Sequence, residues 1–270
     1  MIKQLKIHVI SLVACGLAML VYGFAVEPNW LEITHHEPYA GRNKLGIRVV
    51  QISDLHIHSV GYRERSVHEA IDHLRPDIIV FTGDAIDDPT RLQDLADFMA
   101  LLPDVPRVGV LGNWEYWSDA DLQELKSIYE RRSGSRLLVN EVADYDFNGK
   151  KLRMLGLDDF TAGQPSQPWQ SPKLSADASI VLEHSPGLFD SKDTINRILQ
   201  DRHDLCLSGH THSGQVTLFG LALWTPRGSG HFKAGFYDTD HCRLYVSRGI
   251  GTSILHLRFG ARPELAVFDL

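Results

Sequence analysis

Five short apolar, β-rich runs in this chain each end in a residue able to bind a metal or carry a proton. The runs cover residues 46–53, 77–82, 107–111, 178–183 and 204–208. At their ends stand Asp54-Leu55-His56, Gly83-Asp84, Gly112-Asn113, His184 and Gly209-His210-Thr211-His212. Short continuous apolar runs bounded by turn residues read as buried strands. Between them, residues 62–74 and 90–101 read as amphipathic helices, and Ser118 opens a further helix with Asp119, Asp121 and Glu124 in its early turns. Asn148-Gly149 joins two strand-like runs and signals a hairpin. The tail from Cys242 to Leu270 is strand-rich. Such alternation predicts an α/β fold in which two sheets pack together with helices outside, a four-layer α-β-β-α sandwich formed by residues 46–270 as one domain.

The amino terminus is different. From residue 7 to residue 26 there is no Lys, Arg, Asp or Glu, and about 20 apolar helical residues span a bilayer. Residues 1–26 therefore read as one transmembrane helix, an uncleaved anchor. No small-x-small site ends the run, which argues against a cleaved signal peptide. Leu12-Val13-Ala14-Cys15 resembles a lipobox, but the apolar stretch continues past Cys15. Lys3 and Lys6 precede the span, and Glu27, Glu32 and Glu37 follow it. That asymmetry puts the amino terminus in the cytoplasm and the domain outside the inner membrane. Residues 27–45 read as a linker along the membrane, with Trp30 and Tyr39 as headgroup-level aromatics.

The formal charge of −7 argues against a stable nucleic-acid partner, which calls for a basic stripe. A phosphate substrate is still compatible, because bound cations supply local positive charge. The three cysteines show neither CxxC spacing nor a disulfide framework, and Cys206, in an apolar run, reads as a core residue.

Singly, the five motifs are weak: Gly-Asp and Gly-Asn are ordinary turn dipeptides. Together, at the strand ends where open α/β sheets bind ligands, they predict a shared site. Burying this many carboxylates and imidazoles side by side is costly unless cations pair them. A mixed Asp, Asn and His set suits Mn, Fe or Zn. The series DLH, TGD, LGN, EHS and SGHTH resembles the calcineurin-like metallophosphoesterase family. His210 to Gln215, Ser247 to Thr252 and Arg262-Pro263-Glu264 resemble its bacterial membrane-associated or exported YkuE/YaeI/LpxG-like subgroup. The resemblance implies that Asp54, His56 and His212 hold one divalent metal ion, that Asn113, His184 and His210 hold a second, and that Asp84 bridges them. It further implies hydrolysis of a phosphodiester or pyrophosphate bond at a membrane surface, by a hydroxide that the two metals activate.

One position departs from the pattern. The family usually shows Gly-Asn-His followed by an acid, where the His assists the leaving group. Here the text is Gly112-Asn113-Trp114-Glu115, and an indole N–H only donates a hydrogen bond. Either the substrates have acidic leaving groups, or His58 or Glu115 substitutes as the proton donor, or the protein is a slow or degenerate enzyme. Two further readings stay open: a pyrophosphohydrolase of UDP-2,3-diacylglucosamine, which the LpxG-like resemblance permits, and a metal-binding pseudoenzyme that only binds phosphorylated lipid or a partner. The apolar stretch 216–224 reads as a core hairpin or as a lipid-facing lip beside the site. Asp158 and Asp159 read as solvated turn acids or as borders of the site. Arg227, Arg248 and Arg258 are candidates for holding phosphate, with structural pairing the default.

Overall fold

The computed structural model describes residues 2–38, 44–168 and 176–270; Tyr39 lies outside them. Helix α1 (Ile2–Val21) continues through a π-helical turn (Tyr22–Val26) and a 3₁₀ turn (Glu27–Asn29). The stretch Lys6–Asn29 runs for 24 residues and contains an 18-residue window with a mean hydropathy of 2.4, long and apolar enough to cross a bilayer. Its side chains Ile10, Leu12 and Leu17 point outward, unpacked against the rest of the chain.

Two six-stranded sheets follow. The first has the order β1 (Glu32–His36), β14 (Glu264–Asp269), β2 (Arg48–Ile52), β3 (Ile78–Thr82), β4 (Arg107–Val110), β5 (Arg136–Leu137). The second has the order β12 (Gly235–Asp238), β13 (Arg243–Val246), β9 (Leu205–Ser208), β8 (Ala178–Leu182), β7 (Lys150–Gly156), β6 (Glu141–Phe147). A two-stranded hairpin, β10 (Thr217–Leu218) with β11 (Leu221–Ala222), stands apart. Strands β2 to β5 run parallel, as do β7, β8, β9 and β13. Their carboxyl ends meet at one pole of the molecule, which is where the polar motifs sit.

Alternation along each strand builds the layers. Val49, Ile78, Val80, Val108 and Val110 face Met154, Ile180, Leu182, Leu205 and Leu207 between the sheets. The intervening residues Val50, Ile79 and Phe81 pack outward against α2 (Tyr62–Leu74), α3 (Leu92–Leu101) and α5 (Leu122–Tyr129). On the other flank Val181, Leu244 and Val246 pack against α6 (Lys192–Ile198). Each side chain so buried contributes about 1.5–3 kcal/mol, and a slip of one residue would exchange the two faces. Because both faces are covered, the parallel strands read as continuous apolar runs. The expected α-β-β-α sandwich is the observed one.

Four local expectations change. The presumed linker contains β1, which pairs in parallel with β14 from Glu32↔Glu264 to His36↔Phe268. Its seat is His36, whose ring packs against Phe236, Tyr245 and Phe268. The helix expected from Ser118 begins at Leu122, capped by the Asp121 carboxylate, which accepts from the N–H groups of Gln123 and Glu124. Ser118 instead closes a short helix α4 (Asn113–Trp117), and Asp119 at φ 57° breaks the path between the two. Cys206 is the buried core residue expected, but it is disulfide-bonded to Cys242, since the β12–β13 turn brings the two Cα atoms to 5.9 Å. Lastly, residues 216–224 form no core hairpin. Leu218, Phe219, Leu221, Leu223 and Trp224 are exposed on β10–β11 and the segment after it.

Candidate metal centre

The loops leaving β2, β3, β4, β8 and β9 carry the predicted ligands inward, and all seven side chains are buried. Asp54, His56, Asp84, His210 and His212 adopt φ between 41° and 70°. L-residues avoid this left-handed region, and its concentration at one spot is typical of functional sites. Close approach also restricts the neighbours. A Cβ on Gly83, itself at φ 81°, would lie 2.6 Å from His184 Nδ1.

Two clusters result, Asp54 with His56 and His212, and Asp84 with His184 and His210; within each, the donor atoms lie within 4.8 Å of one another. In the first, His56 Nε2 is 3.2 Å from His212 Nε2, and His212 Nε2 is 3.4 Å from Asp54 Oδ1. In the second, His184 Nε2 is 3.2 Å from His210 Nδ1 and 3.2 Å from Asn113 Oδ1. Asp84 joins them: its Oδ2 lies 3.0 Å from His184 Nε2 and 3.7 Å from His56 Nε2, while its Oδ1 accepts the Trp114 backbone N–H at 2.9 Å.

These spacings fit cations. Metal–ligand bonds of about 2.0–2.2 Å put neighbouring donor atoms about 3 Å apart. His184 Nε2 and His210 Nδ1 face each other as two acceptors, an arrangement that a shared cation would satisfy. The tautomers are set for it. His184 Nδ1 is 2.7 Å from the Thr82 carbonyl and His210 Nε2 is 2.6 Å from the Arg227 carbonyl. Each donates outward and leaves its other nitrogen free as a ligand. The mixed N/O donor set suits Mn, Fe or Zn.

Electrostatics follow the same division. Burial opposes the charge on His184, but the Asp84 carboxylate outweighs it and raises its pKa well above the ordinary value. Burial would likewise raise Asp84, yet His184, His56 and His210 pull it down to about 2. Burial, then the charge of His184, lowers His210 to about 4. Burial, then His56 and the Arg258 guanidinium, keeps His212 well below its usual value.

The remaining candidates fall into different places. Glu115, expected as a stand-in proton donor, turns away from the cleft. Its carboxylate accepts the backbone N–H groups of Gly112 at 2.8 Å, Asp84 at 3.1 Å and Ala85 at 2.6 Å, pinning the β3 and β4 loops together. Burial, reinforced by Asp84, raises its pKa to about 7. His58 stands at the rim, more than half exposed, with Nε2 3.4 Å from Asp87 Oδ1. Trp114 borders the metal cleft edge-on to His56, with ring centroids 6.1 Å apart. Asp158 and Asp159 are buried rather than solvated. Asp158 accepts the Tyr116 hydroxyl at 2.6 Å, and Asp159 accepts that of Ser185 at 2.5 Å, bracing the loop after His184. Arg248 is paired with Glu32 and Glu264. Arg258 is wholly buried and donates to the carbonyls of Arg248, Gly249, Gly251 and Ala261. Of the three arginines, only Arg227 lines the cleft.

Sequence reasoning missed Asp87, and it named Arg258 without showing which loop it holds. Asp87 Oδ2 lies 3.5 Å from His56 Nδ1, the position of a carboxylate that orients a ligating imidazole. Its only trace in the sequence is an acid three residues past Asp84. Arg258 holds the loop whose Gly249 packs on Asp54, where an added Cβ would sit 2.7 Å from the Asp54 Cβ.

The calcineurin-like phosphoesterase family model matches residues 47–214. The chain is 32% identical to the "uncharacterized metallophosphoesterase YkuE" of Bacillus subtilis, over 92% of this chain and 89% of that protein. It is 27% identical to the phosphodiesterase YaeI of Escherichia coli, over 90% of each. It is 26% identical to the UDP-2,3-diacylglucosamine pyrophosphatase LpxG of Chlamydia trachomatis, over 95% of this chain and 94% of that protein. Among solved structures, a dimetal phosphatase from Danio rerio superposes with a TM-score of 0.46 at 12% identity, covering 83% of this chain and 92% of that one. A family model that spans the five motifs, together with two donor clusters joined through Asp84, places the chain in the calcineurin-like phosphoesterase family.

Proposed function

We propose that this metallophosphoesterase is a single-pass membrane protein. It holds two divalent cations and hydrolyses a phosphodiester or pyrophosphate bond in a lipid-linked substrate, with its domain on the extracytoplasmic side. The observation that carries the reading is the position of Asp84, whose Oδ2 stands between the His184 and His56 nitrogens. Asp54, His56 and His212 would hold one cation and Asn113, His184 and His210 the other, with Asp84 shared. Such a pair, when bound, neutralises phosphoryl oxygens and makes water nucleophilic at neutral pH.

The chain's own residues do the rest. Outward hydrogen bonds to Thr82 and Arg227 hold His184 and His210 in the ligating tautomer. Arg227 brings a guanidinium to the cleft, where its planar fork matches phosphate oxygens. Trp114 occupies the place of the usual proton donor. That favours substrates whose leaving group is already acidic, such as a nucleoside monophosphate, with His58 at the rim as the remaining donor.

Three observations support the membrane and lipid part. One is the apolar helix. The second is the cleft wall of Leu223, Trp224 and Leu255. The third is the Cys206–Cys242 disulfide, a bond that persists in oxidising compartments. The net charge of −7 opposes a stable nucleic-acid partner. UDP-2,3-diacylglucosamine, the substrate in the name of LpxG, is a second reading. The apolar cleft favours it.

The test is turnover of bis-p-nitrophenyl phosphate by the metal-stripped full chain after addition of Mn, Fe or Zn. Activity is expected with at least one metal and is expected to vanish in Asp84→Asn. No turnover with any of them would overturn the hydrolase reading and leave a metal-binding module.

A further inference from the structure

We propose that the β10–β11 hairpin, together with Ile254 and Leu255, inserts into the membrane leaflet that α1 leaves. The metal cleft then opens at the level of the lipid headgroups.

The hairpin is a poor fit to water. From Gln215 to Pro226 the chain carries no charged residue. Phe219 is 96% exposed, and Leu218, Leu221, Leu223 and Trp224 are all more than half exposed. Phe219 and Gly220, at φ 51° and 77°, form the two central positions of the turn. Asn, Asp or Gly is the local preference where both central residues have positive φ. A phenyl ring in that conformation, packed against nothing, is selected for something other than the turn. Contiguous exposed apolar surface of this kind marks a partner or a membrane.

The choice of the membrane comes from the hairpin's attachment. Thr217 N–H donates to the Phe259 carbonyl at 2.7 Å, and Thr217 Oγ1 donates to the Gly260 carbonyl at 2.8 Å. The same short strip grips the foot of the apolar helix. Arg258 N–H donates to the Gly23 carbonyl at 3.0 Å, and the Phe259 ring meets Tyr22 edge-on at 5.8 Å. The buried Glu27 carboxylate accepts the N–H groups of Gly260 at 2.9 Å and Ala261 at 2.6 Å. Ile254 and Leu255 belong to the same assembly, because the Gln215 side chain bonds the Ser253 N–H and the Leu255 carbonyl, both at 2.8 Å. The apolar lip and the end of the span are thus mounted on one piece of backbone. Trp224 lies beside it, an aromatic suited to the interfacial zone.

The lip also continues into the site. A cavity of about 500 Å³ runs from Asp84 and His212 to Trp117, Leu223, Trp224 and Leu255. A phosphoester headgroup at the metals would keep its acyl chains along this wall without leaving the bilayer. The delivery of substrate rests on the hydrolase reading; the insertion does not.

The experiment uses the full chain in phosphatidylethanolamine–phosphatidylglycerol nanodiscs, in a Cys15→Ser background. An environment-sensitive fluorophore is placed at Phe219→Cys or Leu221→Cys, and at Lys150→Cys on the opposite pole as control. Nitroxide-labelled phosphatidylcholine in the disc is expected to quench positions 219 and 221 and to leave 150 unquenched. Equal, water-like behaviour at all three positions would overturn the proposal. So would shielding of 219 and 221 without lipid quenching, which would point to a second copy of the chain on this face. For delivery, Phe219→Glu with Leu221→Glu is expected to lower turnover of bilayer-embedded diacylglycerol pyrophosphate at least tenfold relative to soluble bis-p-nitrophenyl phosphate; an unchanged ratio would sink that part. Absence of all turnover in the parent protein would count against the hydrolase reading and leave the quenching result standing.

Discussion

On the proposed reading, Trp114 would set the chemical range of the site, because an indole only donates a hydrogen bond where the family usually shows a group able to protonate a leaving oxygen. Trp114→His is expected to raise kcat for a phosphodiester with a poor leaving group, such as an alkyl alcohol, by about 10²-fold, the low end of general-acid contributions. The p-nitrophenyl ester, whose leaving group needs no proton, is expected to change little. Steady-state kinetics on the two esters decide it, and equal changes in both would mean that the position is not linked to leaving-group protonation. Glu115 makes the opposite case. Its four backbone partners are buried, and each donor left unsatisfied costs about 1–3 kcal/mol. Glu115→Ala is therefore expected to lower unfolding stability by at least about 2 kcal/mol and to reduce metal content. Full stability with lost turnover, read by denaturant unfolding and kinetics, would return Glu115 to a proton-transfer role. The seven candidate ligands were legible because each stands at, or within a few residues of, the end of an apolar run. Asp87 was not, because its partner His56 is fixed only by the fold; for Arg258 the structural default was legible, but its partners, the carbonyls of Arg248 and Gly251, were not.

Among the elements, β1 was hidden in the sequence for a similar reason. Glu32-Ile33-Thr34-His35-His36 is polar, and its partner β14 lies at the far end of the chain. Strands β3, β8 and β9 were plain because both of their faces are covered, which makes them uninterrupted apolar runs. Hairpin β10–β11 misled in the other direction, since an apolar composition cannot tell a core from an exposed lip; only its attachment to Phe259 and Gly260 does. The seat of β1 gives it a pH dependence. Burial among Phe236, Tyr245 and Phe268 lowers the His36 pKa; Glu264 opposes this, while His35, Arg243 and Arg248 add to it. A base with a depressed folded pKa takes up a proton more readily when unfolded or detached. Its contribution is complete above the ordinary value of 6.5 and is lost as pH falls below it. Amide protection across β1 is expected to weaken as pH falls below about 6.5, as read by hydrogen exchange, and His36→Phe is expected to remove the effect. Protection independent of pH in the parent chain would contradict it.

For the whole molecule, the disulfide and the topology stand or fall together. Cys206 and Cys242 close a loop over a sequence separation of 36, and such a link contributes about 3–4 kcal/mol in the chain-entropy account. Protein extracted from cells under thiol-blocking conditions is expected to be alkylated at Cys15 alone. Cys206 and Cys242 should react only after reduction and unfolding, and reductant should lower the melting temperature. Immediate alkylation of both in the denatured, unreduced protein would place the domain in a reducing compartment and reverse the predicted orientation.

Glu27 gives the foot of the apolar helix a fixed seat on Gly260 and Ala261, and that has a kinetic meaning. On the proposed membrane reading, a domain mounted without slack would keep a constant height and tilt, and its encounters with an embedded substrate would be lateral. The relevant concentration is then molecules per unit area of leaflet, and the aqueous volume around the cell drops out of the rate.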